Sequence, residues 1–509
     1  MAIIYSLICF GGRTGKTVTF TVSGSVVNLT NHGLRDGKGV AFTSTGTLPT
    51  GLTAGTIYYV RSTGLNTFTL HSTQADAISN TGQVTFTTTG SGTRSVKGEY
   101  FLSLTPAQLA RYGAAGSERI YDGLRSWHIA RNSLCTEYDE EWAEIGEAFT
   151  EVNTLTMVLS MQSARNVITP TIDGVVTEAF HAGKYLSGYI KHHDNSAGSN
   201  ISVSSYRAII EGITLLSPLS STHAISTANG SSVDRCFVVG GFPGPSTSIG
   251  ILSGNTLSYV TNNVVVGFAE GVRFQQYGYG LIFANNLMTK NTRGVYTISG
   301  TTSQIFGYFY NNISVGNTTS NWHTQSGQIE RATNNAGASG DTIWTKSGGT
   351  SLICSTADFV DWGNNDFRLV GGSGLIDSGA AFFGFPTQDV ARNERPAYAG
   401  GGAEQIDVGP FEKDLGFGPR PASHTLTLRN VAIGSRILIE SQDGGTVHYN
   451  ALASSSEVVA TITVYGDARD QWVIKVRKAS ESPFYIPWST LTTVTAGESS
   501  IYVSQTPDE

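Results

Sequence analysis

Residues 307–320, "GYFYNNISVGNTTS", place Asn311 and Asn312 in the middle of an apolar, strand-like run. Asparagine is depleted in strands, and two together ordinarily mark a turn. The pair recurs. "SYVTNNVVVGF" carries Asn262 and Asn263, "LIFANNLMTKN" carries Asn285 and Asn286, and "IERATNNAGAS" carries Asn334 and Asn335. Extended backwards, the alignment puts Asp234-Arg235 of "SVDRCFVVGG" and Glu211-Gly212 of "AIIEGITLLS" in the same register. Successive steps from Glu211 are 23, 28, 23, 26 and 23 residues. A second ladder runs beside the first through Gly250-Ile251, Gly271-Val272 and Gly294-Val295.

Repeats of this length, each with short apolar strands and a polar turn, are the signature of a solenoid. Val, Ile, Phe, Tyr and Thr fill the repeat interiors, which excludes helical repeats. The period fits one coil of a right-handed parallel β-helix, with about three strands per coil and coils about 4.8 Å apart. Equivalent residues of successive coils then lie above one another. Asn tolerates the left-handed backbone of a tight corner, and its amide can bond the amides above and below. The Asn pairs are therefore a corner of the solenoid.

Composition agrees. Of 509 residues only 14% are charged, 60 are Gly, and 23 Phe with 21 Tyr supply packing; an average chain is about 25% charged. The formal net charge is −7 with no run of Lys or Arg, which argues against a nucleic-acid partner. "MAIIYSLICF" lacks the charged start and cleavage site of a signal peptide, and no apolar run is long enough for a membrane span. Cys9, Cys135, Cys236 and Cys354 lie far apart and read as isolated buried thiols of a protein made in a reducing cytoplasm.

The expected architecture is all-β. Residues 1–100 form an antiparallel β module of about six strands between 17 and 97, and 101–165 form a short helical cap leading into the coils. The cap includes "LTPAQLARYG" (104–113), with Thr105-Pro106 as a helix start, and the helix-prone 117–149. The β-helix spans 166–413, "DLGFGPRPAS" (414–423) is a linker, and 424–509 form a β-sandwich.

"NDFRLVGGSGLIDSGA" (365–380) followed by "DVARNERPAYAGGGAEQIDVGPFE" (389–412) resembles the closing pattern of bacterial and phage β-helix proteins of the pectate-lyase-like superfamily. Asp366, Phe367, Arg368 and Leu369 match its start, and Ile376, Asp377 and Gly379 its middle. Arg395-Pro396 and Asp407, Val408, Gly409, Phe411 and Glu412 match its end; Gly374 departs from it, standing where proline is usual. Residues 26–73 resemble a small β module of phage tail and virion proteins, and the last domain is similar to β-domains appended to phage structural proteins. Together the resemblances imply a tailed-phage virion protein of the tailspike or fibre type, commonly a homotrimer.

Motifs that could carry chemistry are weighed one by one. "GGRTGKTVTF" (11–20) has Phe10 where a phosphate loop needs Gly and continues as a strand, so it reads as a loop before a strand. "KHHD" sets His192, His193 and Asp194 adjacent; neighbours on a strand face opposite ways, so this reads as a solvated loop. Glu137, Asp139, Glu140, Glu141, Glu144 and Glu147 read as a solvated acidic helix face without the Gly-punctuated loop of a calcium site. Glu211 and Asp234 share a ladder register, which puts two carboxyl groups about 5 Å apart, near the separation in retaining glycosidases. Arg207 and Arg235 lie nearby to neutralise them. Tyr277, Tyr279, Tyr308, Tyr310 and Trp322 are candidate sugar-stacking aromatics on the solenoid surface.

The expected role is a virion structural appendage for host-surface recognition or attachment, assembled in the bacterial host cytoplasm, without catalytic, cofactor or metal residues. Its expected partners are sister subunits, other tail or capsid proteins and host surface polysaccharide. The alternatives are a polysaccharide-degrading tailspike, a hydrolase or lyase with Glu211 and Asp234 as first suspects, and a capsid-attached fibre or decoration protein. Fold alone does not choose among them.

Overall fold

The first asparagine of each pair turns the chain. In the computed structural model Asn262, Asn285, Asn311 and Asn334 have φ between 52° and 56°, and the same corner continues backwards through Arg235 (51°) and Gly212 (67°). The corner therefore matches Arg235, not Asp234, to Asn262. Asp234 is opposite Thr261 on one side and Glu211 on the other, so the Glu211–Asp234 pairing holds while its alignment to the asparagines shifts by one residue. Arg235 adopts a backbone conformation that costs most residues about 1–2 kcal/mol. Its guanidinium offsets that cost by bridging both carboxylates, as described below.

The structure describes residues 3–131, 134, 140–153, 157–159, 165–172, 175–181, 183–193, 199–203, 208–217, 223–227, 230–241, 248–253, 258–274, 279–297, 306–323, 331–345, 349–380, 388–393, 395, 406–412, 422–429, 431, 435–441, 447–464, 471–478, 488–493 and 497–502. Tyr277, Cys135, Arg207 and most of the expected linker lie outside them.

Each corner joins a strand of a ten-stranded sheet to one of a nine-stranded sheet, and a seven-stranded sheet completes the coil. Tyr259–Thr261, Val264–Val266 and Glu270–Phe274 form one such coil, with Tyr279–Ala284, Leu287–Thr289 and Arg293–Thr297 above it. All pairing between coils is parallel. Three in-register rows face the interior. They are Ile210, Val233, Val260, Phe283 and Phe309; Leu215, Val238, Val265 and Met288; and Ile201, Ile225, Ile251, Val272, Val295 and Trp322. All are buried, and each aliphatic member contributes about 1.5–3 kcal/mol. Helix Leu124–Arg131 supplies Leu124 and Trp127 to this core near its first coils. Near its last coils, Trp344 packs on Phe309 and Trp322 with ring centroids 5.2 and 5.6 Å apart.

A parallel sheet exposes apolar surface on both faces and must be covered on both. Described residues of 354–380, 388–393 and 406–411 cover the outer face of the nine-stranded sheet: Phe359, Phe367, Leu369, Leu375, Val390, Val408 and Phe411 pack on Phe237, Val264, Leu287 and Ile313. The motif resembling the closing pattern is this strap. Asp377 N donates to Asp407, Asn311 exchanges two bonds with Ala380, and Asn334 donates to Ser378 O.

The six-stranded antiparallel module is a closed barrel within Lys16–Gly98, with "TVTF" a strand as expected. Ile3–Ile8 is not part of it. That strand pairs in parallel with Glu140–Ile145 in the ten-stranded sheet, so the barrel is inserted after the first strand. Leu7 and Ile8 show why: both are fully buried, Ile8 against the solenoid core and Leu7 against Cys9, Tyr112 and Ile120. Pro106–Ala110 is a helix with Thr105 and Gln108 in a capping box.

Two sequence expectations fail here. Glu140–Ile145 is a strand, and Glu141, Glu144 and Glu147 are buried rather than solvated. Each has its own cation: Arg131 at 2.6 Å from Glu141, Arg111 at 2.6 Å from Glu144 and Lys38 at 2.9 Å from Glu147. Separate pairing removes the mutual repulsion, and packing overrides helix propensity. "KHH" is likewise strand Ile190–His193, with Lys191 buried opposite Leu215 of an interior row. Cys9, Cys236 and Cys354 are free and buried.

Residues 413–509 belong to a second compact unit. It contains sheets of three and four strands, with Trp488–Thr493 at one edge of the four-stranded sheet. No described helix is long and apolar enough to cross a membrane.

Candidate functional site

Two sets of lateral residues were candidates in the sequence, the Glu211–Asp234 corner and the surface aromatics. At the Glu211–Asp234 corner, Arg235 Nη2 lies 2.8 Å from Glu211 Oε2 and 3.1 Å from Asp234 Oδ2, and Arg392 Nη2 reaches Glu211 Oε1 at 3.3 Å. Thr169 also donates to Glu211, and Thr261 and Asn262 donate to Asp234. Burial pushes the Asp234 carboxyl up, and the Arg235 guanidinium opposes it. The structure thus brings the two carboxylates together but engages both with arginine. A glycosidase acid must hold a proton and face an open subsite. The corner instead ties the strap, through Arg392, to the adjacent coils that carry Glu211 and Asp234.

The named aromatics divide. Trp322 is 5% exposed, inside the interior row, with Nε1 donating to Ala336 O. Tyr308 and Tyr310 lie on the outer face of the ten-stranded sheet, parallel to each other with centroids 6.3 Å apart. Tyr310 is nevertheless 7% exposed. Tyr279 begins a described strand, but its side chain is outside the described residues.

Sequence reading missed the outer face of the seven-stranded sheet. Ser226, Leu252, Arg273, Tyr296 and His323 form one row across five coils. His223, Ile249, Glu270, Arg293 and Ser320 form the next. The signal was present: the residue after each Gly-Ile or Gly-Val step must alternate outward. Glu270 is nearly buried, accepts a bond from Arg273 Nε, and lies 3.3 Å from Arg293 Nη1. Both guanidiniums flank the Tyr296 ring, with Cζ 5.4 Å from its centroid for Arg273 and 5.3 Å for Arg293. The His323 ring stacks on Tyr296 at 5.1 Å, within 4° of parallel. Burial lowers the His223 pKa, and Arg273 adds to the effect. The result is a stacked ladder, with His323 and the two guanidiniums over the Tyr296 ring, which presents ring edges and fixed cations on adjacent rungs of a rigid sheet.

No group of described His, Cys, Asp and Glu residues has the arrangement of a metal site. No family model matches the chain, and no curated protein matches it. Among solved structures, it is similar to the tailspike protein gp49 from Pseudomonas phage LKA1. Identity is 10% over 91% of this chain and 82% of that one, with a TM-score of 0.12, a likeness that carries no argument.

Proposed function

We propose that the chain is a bacteriophage virion appendage of the tailspike or fibre type, which acts as a homotrimer and binds host surface polysaccharide without cleaving it. The observation that carries this reading is the Tyr296–His323 stack on an outer face of the solenoid. The stacked rings, fixed on neighbouring strands, offer a sugar apolar ring edges at little entropic cost, and the guanidiniums over Tyr296 supply hydrogen bonds. The solenoid adds stiffness, and the resemblance of residues 365–412 to phage β-helix proteins supplies the virion context. The carboxylates at the Glu211 corner are spent on arginines, which favours binding over hydrolysis.

The test follows bound sugar and new reducing ends after incubation with surface polysaccharides of candidate hosts. Saturable binding without new ends, weakened at least tenfold in Tyr296→Ala, supports the proposal. New reducing ends would make the chain a depolymerase. Neither signal across the hosts would favour a fibre or decoration protein that binds no sugar.

A further inference from the structure

We infer that the stack takes an anionic sugar residue, whose carboxylate lies against Arg293 beside Tyr296; this rests on the polysaccharide-binding reading above. Charge is the first reason. Two guanidiniums, Arg273 and Arg293, share one carboxylate, Glu270, so the cluster carries one positive charge in excess within a chain of net charge −7.

Geometry is the second reason. Arg273 spends Nε on Glu270 and Arg293 spends Nη1. Among the described residues the other donors of both guanidiniums meet no acceptor. Arg293 is the more open, with 40% of its side chain exposed against 27% for Arg273. A planar guanidinium with two free N–H groups matches a carboxylate bidentately, which an ammonium cannot do. Glu270 holds Arg293 in place, so little side-chain entropy is lost when an anion arrives.

A neutral sugar would use the Tyr296–His323 rings and leave the charge excess unused.

The experiment measures binding of the full chain to a panel of bacterial capsular and lipopolysaccharide-derived polysaccharides, half acidic and half neutral. Each acidic binder is also prepared with its carboxylates reduced to alcohols. Arg293→Gln and Tyr296→Ala are compared with the parent, and the thermal transition of each variant verifies the fold; both positions are solvent-facing, so neither change opens the core. The expected result is binding confined to acidic members, reduced at least tenfold by carboxyl reduction and by Arg293→Gln. Binding to neutral members that falls in Tyr296→Ala but not in Arg293→Gln would overturn the inference and leave the proposed function standing. Acidic binders that bind equally after reduction would do the same. An absence of binding across the panel would sink both.

Discussion

Asn263 and Asn286 are joined amide to amide across one coil. Nδ2 of Asn263 donates to Oδ1 of Asn286 at 3.0 Å, and the same oxygen takes the Asn263 backbone N–H at 2.9 Å. Asn286 repeats this with Asn312, and Asn312 with Asn335, whose amide ends on Trp344 O at 3.1 Å. All four are fully buried. The ladder thus satisfies backbone groups that a tight corner would leave orphaned inside the core.

Replacing a central rung should therefore be costly. Asn286→Leu leaves the Asn263 N–H and Val260 O without the partners that Asn286 supplies. Orphaned buried groups cost about 1–3 kcal/mol each. The expected loss is about 2–5 kcal/mol, read as a lower urea midpoint for the solenoid transition at unchanged m-value. An unchanged midpoint would mean that the ladder is decorative.

The first asparagine of each pair has a different job, and two of them separate backbone from side chain. Asn285 and Asn311 both have φ near 55°. Both amide atoms of Asn285 are buried without partners, whereas Asn311 bonds Ala380 in both directions. Glycine accepts this conformation freely. Asn285→Gly should be neutral or slightly stabilising, and Asn311→Gly should cost about 1–3 kcal/mol for the lost strap contacts. Equal effects at the two sites would refute the division of labour.

How much of this was legible depends on periodicity. The Asn pairs repeat because every coil needs the same corner, so the solenoid and the Glu211–Asp234 pairing could be read directly. The one-residue slip at Arg235 arose because an arginine in left-handed backbone leaves no compositional trace. The buried glutamates were misread for a related reason. Lys38 and Arg111 reach Glu147 and Glu144 from other segments, and Arg131, though only ten residues from Glu141, meets it once Glu140–Ile145 is a strand beside helix Leu124–Arg131. The Tyr296 stack was within reach, since alternation from Gly294-Val295 points Tyr296 outward. The same alternation makes Trp322, after Asn321, an inward residue.

Trp322 supplies the matching control. Its ring lies in the interior row above Val295 and against Trp344. Trp322→Ala should cost about 3–5 kcal/mol through the cavity it opens. Sugar affinity per folded molecule should stay within about twofold, the reverse of the pattern for Tyr296→Ala. A fall in affinity at unchanged melting temperature would place Trp322 on the surface after all.

His181 gives the fold a pH dependence with a definite sign. It is almost fully buried, with Nε2 bonded to Arg235 O and Nδ1 accepting from Gly183 N. Burial lowers its pKa from 6.5 to about 4, and the nearby Arg235 and Arg392 guanidiniums push the same way. The unfolded chain then binds a proton below about pH 6.5 that the folded chain refuses until about pH 4. The contribution is fully present above pH 6.5 and disappears as the pH falls towards 4, a loss of about 3 kcal/mol. His32, His128 and His223 are also lowered by burial and add to the trend. The melting temperature should thus drop between pH 7 and pH 4.5, and His181→Gln, weaker at pH 7, should show a shallower decline. Parallel pH profiles for the two proteins would show that His181 titrates alike folded and unfolded, and the buried corner would then have to accept a third cation beside Arg235 and Arg392 as the pH falls below 6.5.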